Sequence, residues 1–254
     1  MSENFDIADP TERVRQALAR ADLEPGSPRP CSYLADRTAR DLAFRAPRLI
    51  TGVYQSLMEL NFRRSGSILY RPACASCRQC RALRVLVSPF EPNRTQHRCH
   101  RRNQDLTVEI DAPTPTEEKH RLFRHYLRRR HDEAMSDDWD DFAGFLYESP
   151  VRTLEVSYRL ADRLVAVGIF DVEPAAASTV YCYFDPDFSP RSLGVYNVLW
   201  TLDWCRNEDL AHLYLGYYIH DCAKMNYKIA YRPYEIIEPD DGRWHRVNRS
   251  PRKP

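Results

Sequence analysis

The stretch 180–235 sets the tightest limits on what this chain can fold into. Residues 180–184 alternate and are rich in β-branched and aromatic side chains, the pattern of a strand. Asp185-Pro186-Asp187 and Ser189-Pro190 end it, because proline lacks a ladder donor and fixes φ. After Gly194 the apolar residues Val195, Val198, Leu199, Leu202 and Cys205 recur every three or four positions, which predicts a helix of about three turns. Residues 213–216 form a second strand, followed by a short helix and a last strand. The turn Arg191-Ser192-Leu193-Gly194 delivers the chain to a helix N-terminus, where unpaired N–H groups and the positive dipole end suit the phosphates of a ligand. An ordinary strand-to-helix turn reads equally well.

A chain of 254 residues holds one large or two modest domains, and 43% hydrophobic with 29% charged residues is a globular composition. No apolar run approaches the roughly 20 residues that span a bilayer, and MSENFDIADP lacks the form of a secretion signal. The expectation is a cytoplasmic protein without a membrane partner, whose eight cysteines are thiols or metal ligands. Residues 1–30 read as a mobile or loosely packed lead-in with a short helix at 11–21. A helix follows over 51–64, ended by Gly66, then strands at 68–70 and 83–87. Between these strands lies Cys74-Ala75-Ser76-Cys77-Arg78-Gln79-Cys80. With Cys31 this run supplies four soft ligands, Cys31, Cys74, Cys77 and Cys80, suited to a structural zinc ion or an iron–sulfur cluster. Free or redox-active thiols are the competing reading. Arg71, Arg78, Arg81 and Arg84 flank the run and are expected to lower the pKa of any thiolate there. Cys99, Cys182, Cys205 and Cys222 read as buried, inert thiols.

Arg94, His97, Arg98, His100, Arg101 and Arg102 form one basic cluster; a strand at 106–110 follows. Thr114-Pro115-Thr116-Glu117 reads as a capping box with proline at the first helical position, opening a helix that carries Arg121, Arg124, Arg128, Arg129 and Arg130. Both clusters suit nucleic-acid phosphates. The other reading is a solvated face balanced by Asp132, Glu133, Asp137, Asp138, Asp140 and Asp141. A helix at 138–148 precedes a hairpin of 153–160 and 164–172 around Ala161-Asp162-Arg163. This order resembles the GNAT acyltransferase fold. The expected class is therefore α+β: a GNAT-like mixed sheet flanked by helices over 105–240, a smaller cysteine-containing domain over 31–104, and a tail over 241–254. In GNAT acetyltransferases the coenzyme A loop has Arg or Gln, then glycine and a second small residue. Arg191 and Gly194 fit, but Tyr196 occupies the small position and argues against coenzyme A. Tyr181, Tyr183, Tyr196, Tyr214, Tyr217, Tyr218, Tyr227, Tyr231 and Tyr234 either line a cleft that stacks on bases or are half-buried sheet residues.

Leu193-Gly194-Val195-Tyr196, Tyr214-Leu215-Gly216-Tyr217-Tyr218-Ile219-His220-Asp221-Cys222-Ala223-Lys224-Met225-Asn226-Tyr227-Lys228 and Tyr231-Arg232-Pro233 resemble the C-terminal signature of the aminoacyl-tRNA–protein transferases. Cys31-Ser32-Tyr33-Leu34, Phe62-Arg63-Arg64-Ser65-Gly66, Tyr70-Arg71-Pro72 and the cysteine run resemble its N-terminal half. The likeness spans about residues 31–244. Leu34, where the eukaryotic arginyl branch has a second cysteine, resembles the bacterial leucyl branch. The resemblance implies transfer of leucine from leucyl-tRNA to the α-amine of proteins beginning with Asp or Glu, giving N-end rule degradation signals, with no cofactor required for transfer. An arginyl donor is the alternative. Rivals of other classes are a coenzyme A-dependent acetyltransferase and a non-catalytic, metal-stabilised RNA-binding module. Within the reaction, Asp185 holds or deprotonates the amine, or simply caps its turn. Tyr183 and Tyr217 orient the ester or donate to the oxyanion, and Arg191 or Lys224 pairs with the acceptor's carboxylate or a tRNA phosphate. Gly194, Tyr196 and Tyr227 complete the expected substrate-binding set.

Overall fold

In the computed structural model, residues 9–130, 135–239 and 241–248 are described. In chain order the elements are α1 (Pro10–Arg20), β1 (Arg29–Pro30), β2 (Thr38–Ala39), β3 (Asp41–Arg45), α2 (Val53–Glu59), β4 (Arg63–Ser65), β5 (Ile68–Pro72), β6 (Arg81–Leu86), α3 (Arg94–Arg102), β7 (Leu106–Asp111), α4 (Glu117–Arg130), α5 (Trp139–Leu146), β8 (Thr153–Leu160), β9 (Arg163–Glu173), β10 (Ala176–Phe184), α6 (Leu193–Asn207), β11 (His212–Tyr218), α7 (Ala223–Asn226), β12 (Tyr234–Ile237) and β13 (Trp244–Val247). One mixed sheet has the order β13-β12-β6-β11-β10-β9-β8-β7. Its neighbours are antiparallel except β10 and β11, the parallel pair that α6 connects. A parallel pair requires such a crossover, since a tight turn reverses the chain. Strand β6, from within 31–104, lies inside this sheet between β11 and β12.

Both faces of the sheet are covered. Leu83, Val85, Val165 and Phe170 pack on one side with Leu199 and Leu202 of α6. Val167, Ile169 and Tyr183 pack on the other with Leu122 and Phe123 of α4 and Phe142 and Leu146 of α5. Strand β9 is accordingly buried at every position after Arg163, as expected of a strand sandwiched between helix layers. A smaller sheet, β3-β5-β4, encloses Tyr54, Leu57, Met58, Phe62 and Leu69, and the same cluster takes in Ala176 and Tyr214 of the large sheet. Among the described residues no helix is long and apolar enough to cross a membrane.

Three local features differ from the sequence reading. The helix expected over 51–64 stops at Glu59, because Asn61 adopts φ +68° while its side chain accepts from Ala82 N (2.9 Å) and donates to Cys80 O (3.1 Å). Arg63 and Arg64 are then strand residues. The cap of α4 is Thr116, whose hydroxyl accepts from Lys119 N (3.3 Å), rather than Thr114. The basic cluster at 94–102 forms α3, opened by a capping box between Asn93 and Gln96. Asp132 and Glu133 lie outside the described residues.

The small sheet is joined to the large one by a buried ion pair. Arg64 donates through Nε and Nη2 to the two carboxylate oxygens of Asp171 in β9 (2.7 and 2.6 Å), and Thr153 of β8 donates to the same carboxylate (2.7 Å). Both side chains are 0% exposed. Removing one member leaves a charge without water or a partner, a loss of about 3–5 kcal/mol. Arg64→Met is therefore expected to lower unfolding stability by about that amount in urea. Arg64→Met combined with Asp171→Leu is expected to recover most of it; a single variant within about 1 kcal/mol of wild type would contradict the assignment.

Candidate functional site

Strands β10 and β11 pair at only three positions, Ala176 with His212, Ala177 with Leu213 and Ser178 with Tyr214. Beyond these the two strands part, β10 staying with β9 and β11 with β6. Each is irregular at that level, between Thr179 and Tyr181 in β10 and between Tyr214 and Gly216 in β11. A bulge bends its strand and strengthens its twist, so bulges on facing strands open the sheet from within. The opening leaves backbone carbonyls that ladder bonds would otherwise satisfy. Two cations take them: Arg63 Nη2 donates to Thr179 O (2.7 Å), and Lys228 Nζ donates to Tyr217 O.

Arg63 and Lys228 meet at Gly216, whose φ is +82°. A side chain there would be strained, and its Cβ would stand 3.6 Å from Lys228 Nζ and 3.7 Å from Arg63 Nε. Both cations are buried, at 7% and 4% exposure, and no ion pair joins either to a described carboxylate. Burial and the neighbouring Arg63 charge push the Lys228 amine down to about 7. Near neutral pH such an amine both accepts and donates a proton. Tyr227, 48% exposed, lies outside it with Lys228 Nζ 5.8 Å from the ring centroid, and Lys224 is exposed on α7 beside it.

Tyr217 links this recess to a pocket of about 330 Å³ lined by Cys31, Cys74, Cys77, Cys80, Tyr33 and Tyr70, among others. Its hydroxyl donates to Asn61 O (2.9 Å) and lies 3.4 Å from Tyr70 O, so it is engaged with backbone. All four cysteines expected as ligands thus share one pocket, as free thiols. Among the described residues the one group of three or more such ligand atoms all within 4.8 Å of one another is His125, Asp185 and Asp187, so no three of the four sulfurs are gathered that closely. The expectation of a lowered thiol pKa fails at Cys80: burial, then Cys31, Cys74 and Cys77, push it up to about 12. The flanking arginines are engaged by other groups or by the backbone of the run. Arg81 pairs with Glu238, Arg84 with Glu59 and Glu235, Arg71 lies over the Phe62 ring, and Arg78 bonds the Cys74 and Cys77 carbonyls.

The remaining expected site residues lie apart from the recess. Asp185 caps the turn after β10 by accepting from Asp187 N (3.0 Å), pairs with Arg163 and lies 3.4 Å from His125 Nε2. Arg163 and Arg129 thus meet the two carboxylates of the His125 cluster. Tyr183 is buried with its hydroxyl on Tyr147 (2.9 Å), and burial holds its pKa well above that of a free phenol. Arg191 makes a two-bond pair with Asp105 (2.7 and 2.8 Å). Gly194 lets α6 approach the Phe184 ring, since a Cβ would come within 3.3 Å of it. Tyr196 turns into the core against Tyr158. Most of the tyrosines are core residues; of the nine expected to line a cleft or lie half-buried in the sheet, Tyr227 alone is exposed. Cys99, Cys205 and Cys222 are buried, and burial raises the Cys182 and Cys205 thiols to about 12. The sequence reading missed Arg63 and Lys228 as site residues. Their one signal was two arginines and a lysine set among aromatic and apolar neighbours.

The patterns described as "Arginine-tRNA-protein transferase, N terminus" and "Arginine-tRNA-protein transferase, C terminus" match residues 29–98 and 118–238. The chain is 41% identical over 225 residues to the aspartate/glutamate leucyltransferase of Stenotrophomonas maltophilia (strain R551-3), covering 85% of this chain and 89% of that one. It is 41% identical over 223 residues to the protein of the same name from Pseudomonas aeruginosa (strain LESB58), covering 87% and 95%. Among solved structures, FemX aligns with 85% of this chain and 71% of its own at 8% identity, with a TM-score of 0.46.

The lowered Lys228 pKa has a measurable sign. The unfolded chain keeps this proton to about pH 10.4, whereas the folded chain releases it near pH 7. Between those values the unfolded state holds more protons, so stability rises with pH, by up to about 1.4 kcal/mol per unit. Lys228→Met abolishes that rise. The stability of the variant relative to wild type is expected to fall steadily from pH 7 to 10 in urea titrations; a constant difference would mean an ordinary lysine.

Proposed function

The chain belongs to the arginine-tRNA–protein transferase family, and on that footing we propose that it transfers leucine from leucyl-tRNA to the α-amine of proteins beginning with Asp or Glu. The products carry N-terminal leucine, and in the cytoplasm they are N-end rule degradation signals. A parallel pair straddled by α6 in an otherwise antiparallel sheet supports a GNAT-like fold for the transferase part. The observation that carries the chemical reading is the meeting of Arg63 and Lys228 at Gly216 in the opened sheet. An acceptor with an acidic first residue brings a carboxylate and an amine close together, which one fixed cation and one titrating amine complement.

In this reading Arg63 receives the acceptor's side-chain carboxylate. The α-amine nitrogen attacks the ester carbonyl carbon, and the C–N bond forms as the carbonyl π electrons move to oxygen. Neutral Lys228 takes the proton released by nitrogen. Collapse breaks the bond to the terminal ribose oxygen, which leaves with the proton that Lys228 returns. Burial keeps water, the competing nucleophile, out of the recess. Tyr227 and Lys224 stand at its mouth, where the terminal adenine stacks and its phosphate is met. Tyr217 acts by holding Lys228 through its carbonyl.

The four cysteines fit a structural zinc ion or iron–sulfur cluster by donor chemistry, since they share a pocket and supply four soft ligands. Such a group would brace the pocket wall that Tyr217 closes; the transfer requires no cofactor. Elemental analysis and absorption spectra of the purified protein are expected to show bound metal that is lost in Cys80→Ser; a metal-free, active wild type would reject this assignment.

Peptides beginning with Asp, Glu or Ala are to be incubated with leucyl-tRNA, arginyl-tRNA or acetyl-CoA and weighed. A leucyl mass gain on the acidic peptides alone is expected. An arginyl gain would change the donor, and acetylation or no transfer would sink the reading. Lys228→Arg, which keeps the charge but does not release its proton near neutrality, is expected to lower kcat by roughly 10²–10⁴-fold. Arg63→Gln is expected to raise KM for the acidic peptide while leaving KM for leucyl-tRNA unchanged.

A further inference from the structure

Helix α3 has two faces with different tasks. Its inner face ties together the two sides of the recess. Gln96 donates to the carbonyl of Ala230 (3.2 Å), at the end of the 3-10 turn Tyr227–Ala230 that carries Lys228. Cys99 lies 3.6 Å from the carbonyls of Arg191 and Ser192, and Asn103, just past the helix, donates to Arg191 O (2.9 Å), so the same face holds the entry to α6. Its outer face presents Arg94, Arg98 and Arg101, which are exposed and spaced i, i+4, i+7. They therefore form one stripe about 10 Å long.

The two basic clusters of the sequence differ sharply in their surroundings. On α4, Arg121 pairs with Glu117, Arg124 and Arg128 face Asp137, and Arg129 faces Asp187. On α3 none of Arg94, Arg98 and Arg101 forms an ion pair with a described residue; Arg98 reaches only the Thr95 hydroxyl (3.3 Å). The arrangement also works against the helix. Arg94 sits at the positive end of the dipole, no acidic residue occupies the first turn, and like charges at i, i+4 repel. The stripe thus costs the fold stability and leaves three cations facing solvent on the helix whose other face bonds the turn that carries Lys228.

We propose that α3 is the docking element for the phosphate backbone of aminoacyl-tRNA, through Arg94, Arg98 and Arg101, while the arginines of α4 serve internal ion pairs. This rests on the transfer reading above, which requires a tRNA 3′ end in the recess that α3 spans. A polyanion neutralised by three arginines releases counterions, so its binding weakens steeply with salt.

The test compares wild type, Arg94→Gln/Arg98→Gln/Arg101→Gln, and Arg121→Gln/Arg128→Gln. Binding of deacylated tRNA across a salt series and the KM values of leucyl-tRNA and an Asp-peptide are measured. The α3 variant is expected to flatten the log–log salt slope by about 2 to 3 and to raise KM for leucyl-tRNA by about 10-fold or more. Its kcat and its KM for the peptide are expected to hold and its melting temperature not to fall, because the stripe forms no ion pair within the fold. The α4 variant is expected to shift tRNA affinity less than about 2-fold. An unchanged slope in the α3 variant, an equal loss in the α4 variant, or a KM change confined to the acceptor would overturn the proposal. If wild type binds tRNA through α3 but transfers no amino acid, the transfer reading fails and the docking surface stands.

Discussion

A guanidinium buried against a carboxylate governs the rest of this architecture. Arg64 and Asp171 meet where water is excluded, and the Thr153 hydroxyl completes the set of donors to the carboxylate. Such a pair tolerates little displacement, because each ion depends on the other for what solvent would supply. It therefore fixes β4 against β8 and β9. The residue before it is carried along: Arg63 points the other way, as successive strand residues do, and arrives at the opening between β10 and β11. Two consecutive arginines are thus divided by strand alternation into one that joins two sheets and one that faces the opening between β10 and β11.

The recess shows how a sheet can hold charge in its interior. Strands that part leave carbonyls unpaired, and an unpaired buried carbonyl is unfavourable. Cationic side chains satisfy Thr179 and Tyr217 while keeping their own charge out of bulk water. The defect and the chemistry are therefore one feature. Closing the sheet would remove the need for the cations, and removing the cations would leave the opening unsatisfied.

Much of the chain was readable because its periodicities are local. The hairpin of β8 and β9, the helix after Gly194 and the strand at β11 follow from alternation and three-to-four spacing. The family likeness was carried by short fixed motifs and needed no geometry. What escaped were consequences of distant pairing. Asp185 and Tyr183 look reactive in sequence, yet Arg163 and Tyr147 engage them, and both partners come from other elements. Lys228 looks ordinary in sequence and becomes unusual only when the fold buries it and brings Arg63 against it from 165 positions away. The cysteine run suggested a shared set of soft ligands, but not that burial would raise the Cys80 thiol.

The place of β6 has a consequence for how the protein is made. It bonds to β11 and β12, so residues 81–86 find their partners only after the ribosome has produced residues 212–237. Until then an apolar strand has neither neighbour, and closing the loop between them is an entropic cost borne before any contact rewards it. The recess between β10 and β11, closed by the turn after β11, therefore cannot exist in a nascent chain that lacks those residues. The recess forms only with nearly complete synthesis, and the waiting strand is the segment most exposed to mispairing with another copy.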